Sequence, residues 1–167
     1  MSQRLFGFAV AGVAVLGLAY VTGFLPSLLM PSEDKVINVA TEDAEMNAAI
    51  KIARETLPTF WSKMADHASN EEAFSLKLGI SDGKMTEHFW CGDIRGSAIA
   101  ANCVIANEPT DVHTVKMGQR VEVDPAIISD WMYMQSGKIK GGQTIRALIP
   151  HMAPEEAETY RAMLADK

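Results

Sequence analysis

Apolar residues are concentrated at the start of the chain, where they predict a membrane-spanning helix. From Leu5 to Leu25 the sequence carries no charge, and only Tyr20 and Thr22 bring polar atoms. At about 1.5 Å per residue a helix of this length crosses the hydrocarbon core of a bilayer, and a helix pairs its own backbone groups there. Pro26 ends it. We therefore expect an anchor within residues 1–30 and a linker over residues 31–41.

A secretory signal peptide is the alternative reading of this segment. Its apolar region usually has about 7–15 residues followed by a small-residue cleavage site, whereas apolar residues here continue past each such site. Length therefore favours a retained anchor. Arg4 precedes the span, and Glu33 and Asp34 are the first charges after it. The positive-inside tendency predicts a single-pass membrane protein with its N-terminus in the cytoplasm and its C-terminal domain outside the cytoplasm.

After the linker, the apolar spacing changes to that of an amphipathic helix. Thr41 is a suitable N-cap, and apolar residues recur every three or four positions from Met46 to Met64. Pro58 lies inside this pattern and is expected to kink or restart the helix.

The remainder alternates with the period of β-strands separated by turn residues. We predict strands at Phe74–Ile80, Lys84–Ile94, Ala98–Ala106 and Arg120–Val123, a short segment opened by Asp124 and Pro125, and a strand pair over Met132–Ile145 around Ser136 and Gly137. Gly141 and Gly142 are interpreted as a tight hairpin or bulge, because no helix start with a lysine follows them.

Short turns without crossover helices predict an antiparallel sheet. The expected fold of residues 42–167 is α+β: a curled antiparallel sheet of about five to six strands, packed on the first helix. Pro154 fits a first helical position, and a short closing helix follows over Glu155–Leu164.

Charge restricts the partners of this domain. The whole chain has a formal charge of −6, and subtracting Arg4 from its 15 basic residues leaves 14 against 21 acidic residues. Nucleic-acid binders present clustered Lys and Arg, which are absent from this sequence. The same balance disfavours docking on anionic lipid beyond the anchor itself.

Several motifs in this order resemble one bacterial family. The motifs are Glu87-His88-Phe89-Trp90, Gly118-Gln119-Arg120-Val121, Ile128-Ser129-Asp130-Trp131-Met132-Tyr133, Gly141-Gly142-Gln143-Thr144-Ile145-Arg146 and the tail Met152-Ala153-Pro154-Glu155-Glu156. Together they are similar to the YegJ-like domain of unknown function (DUF2314), over about Asp43 to Leu164. The resemblance implies no activity, cofactor or catalytic residue, because that family has none agreed.

Asp130, Trp131 and Arg146 are the most distinctive polar and aromatic candidates for a binding site. They can line a groove in which Trp131 is an apolar wall and Arg146 takes an anionic group. The structural alternative, which we favour, has Asp130 capping a turn or pairing with Arg146 while Trp131 fills the core.

Glu87 and His88 lie on opposite faces of a predicted strand, so they cannot act together as an acid–base pair. His88 can join Trp90 on a surface-facing side, and a solvated strand face is the equally good alternative. Cys91 and Cys103 can form a disulfide outside the cytoplasm or remain small buried apolar residues. A two-residue turn at Arg95 would separate them, whereas a looser loop centred on Ser97 would bring them opposite each other.

Three functions fit these observations, and none requires a cofactor, a metal or a catalytic residue that the sequence identifies. The first is a membrane-anchored envelope protein with a non-enzymatic binding domain of the immunity or inhibitor type, whose protein partner is unknown. The second is a hydrolase-like enzyme with a polar site near Glu87, His88, Asp130 and Arg146. The third is a structural accessory subunit of a membrane complex that packs through Gly7, Ala11, Ala19 and Gly23.

The anchor can be tested by alkaline carbonate extraction of membranes. We expect the full chain to stay in the membrane pellet, because carbonate removes peripheral proteins and leaves helices that are buried in lipid. A matched variant that lacks residues 5–25 should appear in the supernatant. Release of the intact, unprocessed chain would contradict the predicted anchor.

Overall fold

The structure is a computed structural model that describes residues 44–66 and 68–165. The predicted anchor at Leu5–Leu25, the linker and the Thr41 cap lie outside these residues. Within them, no helix is both long enough and apolar enough to cross a bilayer.

The described residues form an α+β domain, as the apolar pattern predicts. The helices are α1 (Ala44–Ala65), α2 (Gln143–Leu148) and α3 (Pro154–Met163), with 3₁₀ turns at Pro125–Ile127 and Ile149–His151. The strands are β1 (Glu71–Ser81), β2 (Thr86–Gly96), β3 (Ala101–Ile105), β4 (Arg120–Glu122), β5 (Ile128–Gln135) and β6 (Lys138–Gly141). They make one sheet of order β4-β3-β2-β1-β5-β6, with every neighbouring pair antiparallel.

Each face of this sheet carries its own apolar cluster. The first core lies between the sheet and α1 and includes Phe60, Leu76, Phe89 and Trp131. The second core lies on the opposite face and is built from Trp90, Met132, Ile139, Ile145, Tyr160 and Leu164. Because side chains alternate along a strand, consecutive residues of β2 and β5 enter different cores.

Pro58 does not restart the first helix, because α1 is continuous from Ala44 to Ala65. Proline removes one backbone donor and crowds the preceding turn. In that turn, the Thr56 hydroxyl donates to the Ile52 carbonyl at 2.8 Å, and Trp131 Nε1 donates to the Ala53 carbonyl at 2.9 Å. These bonds lie one and two residues before Arg54, whose carbonyl loses its helical donor, and the Trp131 bond ties this turn of α1 to the sheet.

The β2–β3 connection differs from both expected registers. Residues Ser97–Ala100 form the turn, so β3 begins at Ala101 and not at Ala98. Cys91 pairs with Ile105, and a register shift between Gly92 and Arg95 follows. The two cysteines are therefore diagonal neighbours in the first core, and the structure joins Cys91 and Cys103 in a disulfide with a Cα–Cα distance of 5.6 Å.

The segment after Ser136 and Gly137 is the main correction to the predicted fold. Ser136 and Gly137 have positive φ values of 50° and 76° and connect β5 to β6 as predicted. However, β6 ends at Gly141, and a helix rather than a strand or hairpin starts directly after Gly142. Gly141 and Gly142 both adopt positive φ, which stops the strand and turns the chain into α2.

Gly141 also allows a close backbone approach, which gives a test of this turn. An added Cβ would lie 2.3 Å from the Trp131 carbonyl oxygen and 2.6 Å from its ring, whereas one on Gly137 would have no atom within 4 Å. Both glycines have positive φ, which costs an alanine about 1–2 kcal/mol. We expect Gly141→Ala to lower the free energy of unfolding by about 1–3 kcal/mol more than Gly137→Ala, as measured by urea denaturation. Equal losses would contradict the close approach.

Candidate functional site

Lys77 occupies the middle of the sheet and is the centre of the candidate site. It lies on β1, where its pairing partners are Trp90 on β2 and Asp130 on β5. The residue is only 8% exposed, and its ammonium nitrogen lies 5.4 Å from the centroid of the Trp90 ring. A cation at this distance from an indole is attracted by the ring. Lys77 is therefore a buried positive charge with an aromatic neighbour.

The strand alternation explains why a lysine is tolerated here. Leu76 and Leu78 enter the first core, so Lys77 faces the other side of the sheet. Within residues 44–66 and 68–165, the Lys77 ammonium makes no hydrogen bond or ion pair. It is nevertheless not a buried atom without a partner, because Asn107 Nδ2 is the single side-chain nitrogen or oxygen of that kind in these residues. The ammonium group therefore keeps contact with solvent while its stem is buried.

Asp130 is fully buried on β5, and its carboxylate accepts hydrogen bonds from the first residues of α2. Its Oδ2 accepts from the backbone amide and the hydroxyl of Thr144, both at 2.7 Å. Its Oδ1 accepts from the amides of Trp131 at 2.8 Å and Gln143 at 3.2 Å. Burial raises the pKa of Asp130, and these hydrogen bonds oppose the rise. The carboxylate fills the start of α2 and fixes that helix to β5.

His88 stands beside Lys77 on the same face and is held by Ser129. The His88 ring lies over Gly79, where an added Cβ would approach the ring to 3.1 Å. His88 Nδ1 is 2.8 Å from Ser129 Oγ, and that hydroxyl donates to the Lys77 carbonyl at 3.2 Å. Because a hydroxyl has one hydrogen, Ser129 Oγ accepts from Nδ1–H. His88 Nε2 is then the acceptor nitrogen.

The surroundings keep His88 uncharged at neutral pH. Loss of hydration around the ring is the largest cause, followed by the positive charges of Lys77 and then Arg54, and together they lower the pKa of His88 to about 4. The residue still has exposed surface. It therefore presents a neutral acceptor at the edge of the site.

Trp90 is the buried aromatic residue of the site. It is 2% exposed and belongs to the second core. Its backbone amide donates to Asn107 Oδ1 at 2.9 Å, which leaves Asn107 Nδ2 as the unpaired donor noted above. His88, Trp90 and Asp130 are the three sequence candidates that the structure brings together around Lys77.

Glu87, by contrast, is committed to a loop on the opposite face from His88. It is 2% exposed, and its carboxylate accepts from the amides of Thr110, Asp111 and Val112, each at 2.9 Å. These bonds anchor the connection between β3 and β4. Glu87 is therefore a structural carboxylate.

Trp131 and Arg146 also have structural partners within the domain. Trp131 packs in the first core and bonds to α1, so it is not the wall of an open groove. Arg146 does not pair with Asp130; its guanidinium donates to the carbonyls of Gly141 at 3.3 Å and Ala165 at 2.8 Å. The four residues of the hydrolase-like hypothesis therefore do not form one site. Throughout the described ranges, no three His, Cys, Asp or Glu residues are grouped so that they could hold a metal ion.

Comparison with known proteins gives a family for this site and fold. Residues 43–165 match the family described as uncharacterised proteins conserved in bacteria, DUF2314. The chain belongs to the DUF2314 family. The match agrees with the motifs in the sequence and their extent from Asp43 to Leu164.

Two relatives accompany this DUF2314 match. The uncharacterised protein YegJ of Escherichia coli K12 is 36% identical over 131 residues, which cover 78% of this chain and 84% of that protein. A putative ankyrin repeat protein of Neisseria meningitidis serogroup B is 31% identical over 143 residues, which cover 80% of this chain and 56% of that protein. No solved structure matches the chain significantly.

Sequence reasoning missed the central residue of the site in this DUF2314 member. Lys77 lies inside the alternating stretch Phe74–Ile80, where a charged residue between leucines indicates a solvent-facing position. The other residues on the Lys77 side of this strand carry a signal that could have identified the site. Ser75 and Gly79 are small, and Gly79 leaves room for a ring from the neighbouring strand.

The state of His88 is testable by NMR titration of the full chain. We expect half-protonation near pH 4, with the hydrogen of the neutral ring on Nδ1. The folded state then binds this proton less readily than the unfolded state, for which the usual value is about 6.5. The contribution to stability is therefore full above about pH 6.5 and is lost as the pH falls towards 4.

Ser129→Ala provides the control for this titration. It removes the acceptor of Nδ1–H, so the preference for that tautomer should weaken. A wild-type His88 that titrates at or above 6.5 would contradict the desolvated site.

Proposed function

We propose that this DUF2314 protein is a membrane-tethered binding domain that works outside the cytoplasm and does not catalyse a reaction. The anchor at Leu5–Leu25 would hold it in the inner membrane, and the orientation follows from Arg4 and from the acidic residues after the span. The proposal combines this location with the site around Lys77.

The bridge between Cys91 and Cys103 supports the location. Disulfides persist in oxidising compartments such as the periplasm and are rare in the bacterial cytosol. Both cysteines are fully buried in the first core, where a covalent link fastens β2 to β3. A domain that folds in the periplasm can form this link as it folds.

The observation that supports a binding role is that some polar side chains are occupied by the domain's own backbone and others are not. Glu87, Asp130 and Arg146 are each occupied by backbone groups of the domain itself. The Lys77 ammonium and the His88 Nε2 atom, in contrast, retain capacity for an outside group. Such a site favours recognition over a reaction that needs several converging catalytic groups.

The more specific proposal is an inhibitor or immunity-type role towards a toxic or lytic protein. Its support is the small size of the domain and its acidic charge of 14 basic against 21 acidic residues after the anchor. Exposed glutamates occur on both outer helices, at Glu55 on α1 and at Glu155, Glu156 and Glu158 on α3. A negative surface speeds encounter with a positively charged partner.

Thiol trapping in intact cells tests the compartment. After the cells are quenched and the chain is denatured, we expect a maleimide–polyethylene glycol reagent to modify it only if it is first reduced, because both thiols are in the bridge. Protease added to spheroplasts should digest the domain. The chain without residues 5–25 is the matched control, since it should stay in the cytosol with reactive thiols under denaturing conditions.

Free thiols together with protection from protease would refute the proposed location. The binding role has a separate readout, which is recovery of a partner at defined stoichiometry from membranes solubilised in mild detergent. Repeated isolation of the chain without any such partner would count against the inhibitor role.

A further inference from the structure

We propose that Lys77 and His88 form a binding site for a carboxylate group of the ligand. This inference rests on the proposed binding function and specifies the chemistry that the site recognises. It starts from Lys77, which the fold largely buries in the middle of the sheet.

Among the residues that the structure describes, the Lys77 ammonium has no hydrogen-bond acceptor or ion-pair partner. Its neighbour Asp130 carries the opposite charge but is turned towards α2, where its oxygens receive four hydrogen bonds. Lys77 and Asp130 make no ion pair despite their paired positions on β1 and β5. Water is therefore the partner of its solvent-contacting tip, and an oxyanion from outside the chain would replace that water with a charge-assisted hydrogen bond.

The local charge has the opposite sign to the domain. Lys77 on β1 and Arg54 on α1 are the charged groups that act on His88, and both are positive. Asp130 on β5 is the nearby acidic group, and its charge is compensated by the amides at the start of α2. The charges that act on His88 are thus positive although the protein is acidic, and this local balance favours an anion beside His88.

The site offers one uncommitted positive charge, which suits a ligand group with one negative charge. The Arg54 guanidinium already donates to the carbonyls of Ile128 at 2.8 Å and Ala126 at 3.1 Å. The start of α2, which is the usual position for a phosphate, is filled by Asp130. Lys77 is therefore the one uncommitted cation among these groups. A carboxylate matches it better than a phosphate dianion.

His88 would complete the site by taking up a proton. As a neutral acceptor, Nε2 repels a carboxylate oxygen, whereas a protonated ring donates to it. The bound anion favours the imidazolium, so one proton enters with the ligand. The carboxylate would then bridge the Lys77 ammonium and His88 Nε2–H, while Nδ1–H stays on Ser129.

The test uses the full chain in an uncharged detergent and follows the His88 ring signals by NMR during titration. The probes are acetate, N-acetylglycine, N-acetylglycinamide and inorganic phosphate. We expect saturable shifts with both carboxylates, none with the amide and weaker binding of phosphate. Carboxylate affinity should rise between pH 7.5 and 5.5, by up to about tenfold per pH unit for one linked proton. An equal affinity for the two carboxylates indicates a small free ligand, and a preference for N-acetylglycine indicates a peptide terminus.

Lys77→Met is the decisive variant, because methionine fills the space of the stem without its charge. We expect it to weaken carboxylate binding about 10-fold or more, which is the loss of a charge-assisted hydrogen bond. Lys84→Met removes an exposed lysine at the β1–β2 turn and should leave the affinity unchanged. His88→Gln, which cannot take up the proton, should abolish the pH dependence and serves as the second variant if Lys77→Met does not fold; its binding is followed at the Trp90 indole signal, because that ring lies 5.4 Å from the Lys77 ammonium.

Absence of saturable shifts in the wild-type chain would overturn the site, as would equal affinity of wild type and Lys77→Met. Tighter binding of phosphate would overturn the ligand class. Each of these results leaves the thiol and protease measurements untouched, so failure of this inference is distinguishable from failure of the proposed location.

Discussion

The sheet of this domain is packed on both faces, and that constraint governs where its ionisable residues can lie. Taking a charge out of water is costly unless hydrogen bonds or an opposite charge replace the lost hydration. Glu87 and Asp130 satisfy this condition with backbone amides, and each thereby anchors the segment that supplies them. Lys77 satisfies it in another way, through the Trp90 ring and through solvent at its tip. The two buried carboxylates thus position a loop and a helix, whereas the Lys77 ammonium positions neither.

Much of this architecture is readable from local pattern. The period of two and the turn residues predict six strands close to the six that form, and the period of three to four predicts α1, because each pattern reports one buried stripe. The pattern fails where the second face is also buried. Lys77 reads as a solvent-facing residue because nothing within β1 reveals that Tyr160 and Leu164, more than eighty positions later, help to cover that side of the sheet.

The wrong prediction of a strand after Gly141 has a related cause. Gln143–Leu148 contains Thr144 and Ile145, which suit a strand, and it follows a glycine pair that suits a hairpin. What makes it a helix is the Asp130 carboxylate, which receives the amides of Gln143 and Thr144 from across the sheet. A cap of this kind is a tertiary contact over thirteen or fourteen positions, so no local propensity contains it. The predictions for the site residues fail for the same reason. Asp130 and Trp131 are adjacent in sequence but face opposite sides of the sheet, and only Trp131 belongs to the first core.

The two faces of β2 relate the covalent link to the candidate site. Cys91 lies next to Trp90 and points into the first core, so the disulfide fixes the backbone of β2 from the side opposite to His88. The register shift that follows Gly92 bends the outer part of β2, yet residues 86–91 keep an unbroken pairing with β1. His88 and Lys77 are thereby held on two strands whose relative position hardly depends on side-chain packing around the site. The proposed carboxylate site would depend on this rigidity, because a single ammonium group selects a ligand by its position rather than by a network of donors.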